Sequence, residues 1–181
     1  FLIKNGYFVT VYDLFIFGNH FEKNKKLKLI KGDIRDQYKL EKNIKNHDFI
    51  INLASVSNDY SYVLNEPISK DINLNSFKPL VKISKKLKIK KFINISSASV
   101  YGLASKINNE NTKPLPISTY SKINLMNEKK LIKYSDKNFI TTNIRPGSIC
   151  GICPRMRFDL VVNNFTISAL MKKQINIFGG F

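Results

Sequence analysis

Short apolar segments alternate with longer amphipathic segments along this chain. Six short segments are rich in apolar, β-branched or aromatic residues, as strands are: 7–12, 27–30, 48–53, 91–95, 139–144 and 175–178. Four longer segments repeat apolar residues every three or four positions, as helices do: 36–46, 73–87, 118–134 and 159–171. Strands that alternate with helices are typical of a parallel sheet covered on both faces. The pattern predicts an α/β fold with a doubly wound, Rossmann-like parallel sheet.

Individual residues refine these elements. Asp36 is a candidate N-cap for the helix that follows it. The continuous apolar segment 48–53 is typical of a strand buried on both faces. The chain begins as the middle of a helix that ends at Gly6. The predicted apolar face of the helix over 118–134 comprises Leu125, Met126, Leu131 and Ile132.

Four predicted strands end in groups that suit a dinucleotide, and ligands of doubly wound sheets bind beyond the carboxyl ends of the strands. Asp13 can accept a hydrogen bond from a ribose 2′-hydroxyl, which favours NAD over NADP, or it can be a solvated turn residue. Asp33 can bond an adenine amino group or cap a turn. The small segment Leu53-Ala54-Ser55 suits close contact, and the run Ser96–Gly102 places hydroxyls at a fourth strand end.

The net charge of the chain does not change the predicted fold or ligand. The formal net charge is +17, but lysine is spread over all 181 residues and no arginine-rich block occurs. We therefore interpret the charge as solvated helix faces and expect no nucleic-acid partner, with a basic nucleic-acid-binding domain as a remote alternative. No apolar run approaches the roughly 20 residues of a membrane span, so no membrane partner is expected.

The two cysteines, Cys150 and Cys153, form a C-x-x-C pair. Such a pair can be redox-active or supply half of a zinc site. A zinc site needs four ligands, and only His20 and His47 remain to complete one. We expect no metal, and two reduced thiols packed as small apolar side chains, which suits a cytoplasmic protein.

The order of these motifs resembles that of the extended short-chain dehydrogenase/reductases, the NAD-dependent epimerase/dehydratase family that acts on nucleotide sugars. The matching pieces cover nearly the whole chain: Gly6–Asp13, Gly32–Asp36, Ile51–Ala54, Asn73, Ser96–Gly102, Pro116–Tyr120, Arg145–Gly147 and Pro154–Asn163. The resemblance implies NAD as the cofactor and a nucleotide sugar as the substrate. It also implies that the intact protein can form a homodimer.

The resemblance also implies a division of the chain. Residues 1–150 would be an incomplete NAD-binding Rossmann domain whose first strand and Gly-rich turn are missing. Residues 151–181 would begin the substrate-binding region, with most of the C-terminal substrate lobe absent. The chain would then be an internal fragment of a longer enzyme, inactive alone.

The resemblance assigns roles to individual residues. Tyr120 would be the base that removes a sugar hydroxyl proton, and Ser97 the hydroxyl that bonds the same oxygen, with Ser96 and Ser99 as competing assignments. The residues expected to contact NAD are Asp13, Asp33, Ile34, Leu53, Ala54, Ser55, Asn73, Ser96, Tyr120, Asn124 and Pro146. The residues expected to contact the substrate are Ser97, Ser148, Arg155, Arg157 and Asn164.

One position departs from the family pattern. The family has a lysine four residues after the tyrosine, and this chain has Asn124 there. An asparagine can bond a ribose hydroxyl but cannot supply the positive charge that makes the phenol acidic. Lys122 points about 160° away around a helix, and Arg145 is another candidate cation. The alternative to an enzyme is a catalytically impaired dinucleotide-binding sensor of the same fold.

Overall fold

The computed structural model describes residues 1–103 and 107–177, and these residues form two compact units. The first unit contains residues 1–15 and 23–146. The second contains Ile16–Glu22 and the described part of 147–181. None of the described helices is long and apolar enough to cross a membrane.

The first unit alternates strands and helices as the sequence pattern predicts. Its strands are β1 (Val9–Asp13), β2 (Leu27–Lys31), β3 (Phe49–Asn52), β4 (Lys91–Ile95) and β5 (Ile140–Ile144). Its helices are α1 (Gln37–Ile44), α2 (Asp59–Leu64), α3 (Glu66–Lys70), α4 (Phe77–Lys86) and α5 (Thr119–Ile132). A π-helical turn (Asp71–Asn75) precedes α4, and 3₁₀ turns span Ile3–Asn5 and Ala98–Tyr101. The second unit contains α6 (Val161–Lys172).

All paired strands are parallel, which confirms the predicted α/β class. The described residues form two sheets, one of order β1-β2 and one of order β3-β4-β5, and no described strand hydrogen-bonds to both β1 and β3.

Helices cover one face of the three-stranded sheet. Phe92 of β4 is fully buried on that face and meets Phe77 edge-on at a centroid distance of 6.2 Å. On the opposite face Ile51 is 43% exposed, and Phe49, Ile140 and Ile144 are also exposed. The prediction that 48–53 is buried on both faces is therefore wrong, because the described elements pack against one side only.

The helix cap predicted from the sequence is confirmed, whereas the apolar face predicted for α5 is mostly wrong. The Asp36 carboxylate accepts from the Lys39 backbone N–H at 2.9 Å and caps α1 as predicted. In α5, Met126 and Ile132 are exposed, so the predicted apolar face is wrong apart from Leu131 and the half-buried Leu125. The side of α5 that packs inward carries mostly polar residues: Ser121, Ile123, Asn127, Glu128 and Leu131.

Other departures concern short segments. The helices α2 and α3 lie between the predicted segments 48–53 and 73–87, where the pattern predicted neither a strand nor a helix. Residues 175–177 form no strand, and the rest of that predicted strand lies outside the described residues, as do residues 104–106.

A buried ion pair joins α5 to the ends of β4 and β5. Glu128, only 3% exposed, accepts hydrogen bonds from Arg145 Nε at 3.0 Å and from its terminal nitrogen at 2.6 Å. The Ser96 hydroxyl donates to the same carboxylate at 2.5 Å. Arg145 also donates to the Tyr101 hydroxyl at 3.0 Å, and its guanidinium lies 4.9 Å from the centre of that ring.

These contacts keep Arg145 charged. The hydrogen bonds to Glu128 raise the pKa of Arg145 above its usual value, although burial opposes this, and the bond to Tyr101 adds to the increase. A buried carboxylate needs such a partner because an isolated buried charge is costly. The pair therefore ties three elements together only while both charges are present.

We predict that Glu128→Ala destabilises the fold severely. The substitution leaves the Arg145 charge buried without its partner, which costs about 3–5 kcal/mol. The free energy of unfolding, measured by urea denaturation, tests this. The matched control is Glu41→Ala, because Glu41 pairs with Lys86 at 2.7 Å on the surface and its loss should cost less than about 1 kcal/mol. Equal effects of the two substitutions would contradict the prediction.

Candidate cofactor and active site

Three asparagines lie side by side at the carboxyl ends of β3, β4 and β5. Asn52, Asn94 and Asn143 occupy matching register positions. The Asn52 amide donates to Asn94 at 3.1 Å, and the Asn94 amide donates to Asn143 at 3.0 Å. The chain of amides ends at the backbone carbonyl of Glu128, 3.5 Å from the Asn143 amide. Sequence reasoning missed this ladder, although an asparagine at or next to the last residue of each strand was a visible signal.

The two predicted acids lie at the ends of neighbouring strands. Asp13 ends β1, and its carboxylate accepts from the Phe15 backbone N–H at 2.6 Å, so it shapes the turn while staying exposed. Asp33 follows β2. The Arg35 side chain donates hydrogen bonds of 2.6–3.1 Å to both of its carboxylate oxygens. The hydrogen bond from Arg35 lowers the pKa of Asp33 below its usual range. Sequence reasoning missed this role of Arg35.

Ile34 lies half-buried beside these acids. It packs against the apolar core cluster that includes Leu40 and Phe92. Its side chain is therefore part of the packing beneath the β2 end.

The loop after β3 is exposed, and its backbone is hydrogen-bonded to the Asn73 side chain. Leu53 is 71% exposed, and Ala54 and Ser55 are also open to solvent. The Asn73 amide accepts from the Val56 N–H at 2.8 Å and donates to the Val56 carbonyl at 2.9 Å. Asn73 is expected to contact the cofactor, and its side chain holds the loop that carries the other candidates.

The hydroxyl run after β4 separates into two roles. Ser96 is buried and bonded to Glu128, so its hydroxyl is used within the fold. Ser97 caps the 3₁₀ turn by accepting from the Ser99 backbone N–H at 3.2 Å, and its hydroxyl oxygen lies 2.9 Å from that of Ser99. Either hydroxyl of this pair can donate, so Ser97 can donate to another acceptor when Ser99 donates to it. Ala98 of the same turn donates its N–H to the Pro146 carbonyl at 2.9 Å.

Tyr120 and Asn124 lie one turn apart on α5, which packs against the 3₁₀ turn that Ser97 caps. Ser118 begins the helix and accepts from the Ser121 N–H at 3.1 Å. Tyr120 is half-buried. The side-chain amide nitrogen of Asn124 is buried without a hydrogen-bond partner among the described residues. A buried donor without a partner is costly, so this atom is suited to bind an acceptor from outside the chain.

The two candidate replacements for the family lysine, Lys122 and Arg145, have different surroundings. Lys122 is exposed on the outer side of α5. Arg145 directs its guanidinium to Glu128 and Tyr101. The Tyr120 side of the helix therefore carries an amide at the position where the family has an ammonium group.

Apart from Ser97, the predicted substrate residues lie in the second unit. A cavity of about 300 Å³ is lined by Ile149, Cys150, Gly151, Ile152, Cys153, Arg155, Arg157, Leu160 and Asn163. The Arg155 guanidinium lies 3.1 Å from the centre of the Phe17 ring. Arg157 bonds Asp159 through two nitrogens, at 3.1 and 2.5 Å. Of the remaining predicted residues, Ser148 is exposed and Asn164 donates to the Phe158 carbonyl at 3.0 Å.

The cysteines differ from their predicted state. Both are free thiols and both are exposed, so the expectation that they pack as small apolar side chains is wrong. Their backbone forms an irregular segment rather than a buried strand or helix. Within residues 1–103 and 107–177, no group of three or more His, Cys, Asp or Glu side chains could hold a metal ion.

Comparison with known proteins gives consistent results. The sequence profile of the NAD dependent epimerase/dehydratase family matches residues 1–180. The bovine (Bos taurus) decarboxylating sterol-4-alpha-carboxylate 3-dehydrogenase is 29% identical over 157 residues, which are 83% of this chain and 42% of that protein.

Two solved structures are similar over almost the whole chain. The UDP-glucuronic acid 4-epimerase from Bacillus cereus in complex with NAD is 28% identical, with a TM-score of 0.80 over 98% of this chain and 60% of its own. The UDP-glucose 4-epimerase from Thermotoga maritima with UDP-glucose is 26% identical, with the same TM-score and coverage. The chain thus spans about half the length of these relatives. The match across residues 1–180 shows that this chain belongs to the NAD-dependent epimerase/dehydratase family.

Proposed function

We propose that this chain supplies the cofactor-binding half and the catalytic hydroxyls of an NAD-dependent enzyme that acts on a nucleotide sugar. One observation carries the proposal: the carboxyl edge of the sheet ends in exposed loops, beside a helix that buries an unpartnered amide donor, Asn124. The similarity to a UDP-glucuronic acid epimerase with NAD and to a UDP-glucose epimerase supports it.

The residues at this edge fit a nicotinamide dinucleotide. Asp13 keeps carboxylate capacity for a ribose hydroxyl beyond its bond to the Phe15 N–H. The exposed segment Leu53–Ser55 offers backbone and small side chains to a flat ligand. Asn124 would donate to a ribose oxygen, which satisfies its buried amide. NAD, when bound, accepts or returns the hydride of the sugar carbon.

Side chains of this protein would accept and return the proton of the sugar hydroxyl. Tyr120 lies at the start of α5 and would take the proton of the sugar hydroxyl. Ser97 would donate its hydroxyl hydrogen to the same oxygen, while its own oxygen accepts from the Ser99 backbone N–H. Ser96 is excluded from this role in the proposal because Glu128 holds its hydroxyl.

The second unit contains two arginines that are candidates for binding a phosphate. Arg155 and Arg157 line one cavity, and guanidinium groups suit phosphate geometry. Arg157 is bonded to Asp159, which offsets its charge. The Arg155 guanidinium lies over the Phe17 ring, a contact that leaves N–H donors for an anion. Arg155 is therefore the stronger candidate for a phosphate.

A second candidate function is a dinucleotide-binding sensor that performs no redox step. The absence of a cation at position 124 favours it, since Lys122 points outward and Arg145 is bonded to Glu128. The two functions share the fold and the cofactor. They differ in whether Tyr120 exchanges a proton with a bound sugar.

We predict that the protein expressed from its full reading frame binds NAD. Calorimetric titration with NAD measures this directly. Asn124→Ala should weaken binding about tenfold, because a buried hydrogen bond to the ligand is lost. Lys122→Ala is the matched control on the same helix and should leave the affinity unchanged. If the full-length protein binds no dinucleotide, the proposal fails.

We predict that Asn124→Lys raises turnover with a UDP-sugar at least about tenfold, because positioned proton transfer contributes about 10²–10⁴ in rate. The ammonium group would lie one helical turn from Tyr120 and stabilise its charged form. Steady-state kinetics compare it with the double variant that also carries Tyr120→Phe, which should lose the gain. NAD binding without any turnover in Asn124→Lys would support the sensor instead.

We predict that Arg155→Ala weakens binding of a UDP-sugar about tenfold, equivalent to about 1.4 kcal/mol. Arg157→Ala should weaken it less, because Asp159 already offsets that charge. Calorimetry with UDP-glucose at saturating NAD measures both. Lys173→Ala, at the exposed end of α6, controls for the loss of one positive charge. An equal loss in all three variants would contradict a built phosphate site.

A further inference from the structure

The C-x-x-C pair is a feature that the proposed enzyme does not use. Cys150 and Cys153 are both free and exposed, whereas unreactive cysteines are usually buried. Both line the same cavity of about 300 Å³ in the second unit. We propose that Cys150 and Cys153 form a reversible dithiol–disulfide site in this cavity, with an anionic organic disulfide such as glutathione disulfide as the oxidant.

The spacing of the two cysteines permits the bond. Three peptide units separate the two Cα atoms, so they can be at most about 11 Å apart, and a disulfide needs a separation of about 4.4–6.8 Å. Gly151 lies between them with φ +139°, and no atom lies within 4 Å of the position a Cβ would take. The segment can therefore shorten without displacing a packed side chain.

The two thiols have different surroundings, which sets the order of reaction. The Cys153 thiol donates to the Arg155 carbonyl at 2.8 Å, and its backbone N–H lies 3.3 Å from the Met156 sulfur. Cys150 makes no hydrogen bond among the described residues of this segment and its thiol is open to solvent. Cys150 is therefore the attacking thiol and Cys153 the resolving thiol.

The cavity also suits the oxidant. Arg155 and Arg157 line it together with both thiols. Glutathione disulfide carries several carboxylates, which positively charged side chains attract. No third sulfur, imidazole or carboxylate of the described chain completes a metal site with these cysteines, so a thiol–disulfide couple accounts for the pair better than a bound ion.

The reaction balances without further reagents. The Cys150 thiolate attacks one sulfur of glutathione disulfide, forms a mixed disulfide and releases one glutathione thiolate. The Cys153 thiolate then attacks the Cys150 sulfur, forms the internal disulfide and releases the second glutathione. The two protein thiols lose two electrons and two protons, and the oxidant becomes two glutathione thiols.

The test equilibrates the protein in glutathione redox buffers without NAD or sugar, blocks free thiols with iodoacetamide and records the intact mass. The wild type should lose two hydrogen masses and take up no label, and reduction should reverse this. The folded protein should form the disulfide about tenfold more readily than the urea-unfolded protein. Equal formation in both states would overturn the proposal, as would glutathione adducts on both cysteines or disulfide-linked dimers.

Two single variants test the order of reaction. Cys153→Ser should accumulate a glutathione adduct on Cys150 faster than Cys150→Ser accumulates one on Cys153. The opposite order would overturn the assignment of Cys150 as the attacking thiol. Because no cofactor or sugar is present, these outcomes are independent of NAD binding and turnover, so failure here is distinguishable from failure of the proposed enzyme.

Discussion

The ion pair between Glu128 and Arg145 is the interaction on which the first unit's candidate site depends. It joins the helix that carries Tyr120 to the end of β5, and Glu128 also accepts a hydrogen bond from Ser96 at the end of β4. The pair stabilises the fold because each charge offsets the other, and a buried charge without a partner is costly. The planar guanidinium also reaches Tyr101 from its other side. The same geometry that stabilises the site makes Arg145 unsuitable as a replacement for the lysine that the family places beside the catalytic tyrosine.

Amide groups, rather than apolar packing, position the loops of the site. The ladder of Asn52, Asn94 and Asn143 runs across three strands just where they end. Asn73 then holds the backbone of Val56 through both its N–H and its carbonyl. Each bond is directional, so the loops are fixed in position while their outer surfaces stay open. An open edge with fixed loops is what a dinucleotide site needs.

Parts of the site could be predicted from local signals and parts could not. The hydroxyls after β4 and the tyrosine at the start of α5 were recognisable because their order along the chain is specific. The partner of Asp33 was only two residues away, at Arg35, but a bidentate contact depends on how the turn directs both side chains. The burial of Glu128 could not be read from the sequence, because a carboxylate on a helix is ordinarily exposed and its partner lies 17 residues later.

The sequence by itself determined the alternation of strands and helices, the cap at Asp36, and the family, because these depend on neighbouring residues and their order. Tertiary structure decided which side of each element is buried. It exposed Met126 and Ile51, buried Glu128, and left the two thiols open to solvent. Burial is set by what packs against an element, and in this fold those partners come from distant parts of the chain. Periodicity reports only how apolar residues are spaced, so it could not identify a helix face that is buried through hydrogen bonds and an ion pair.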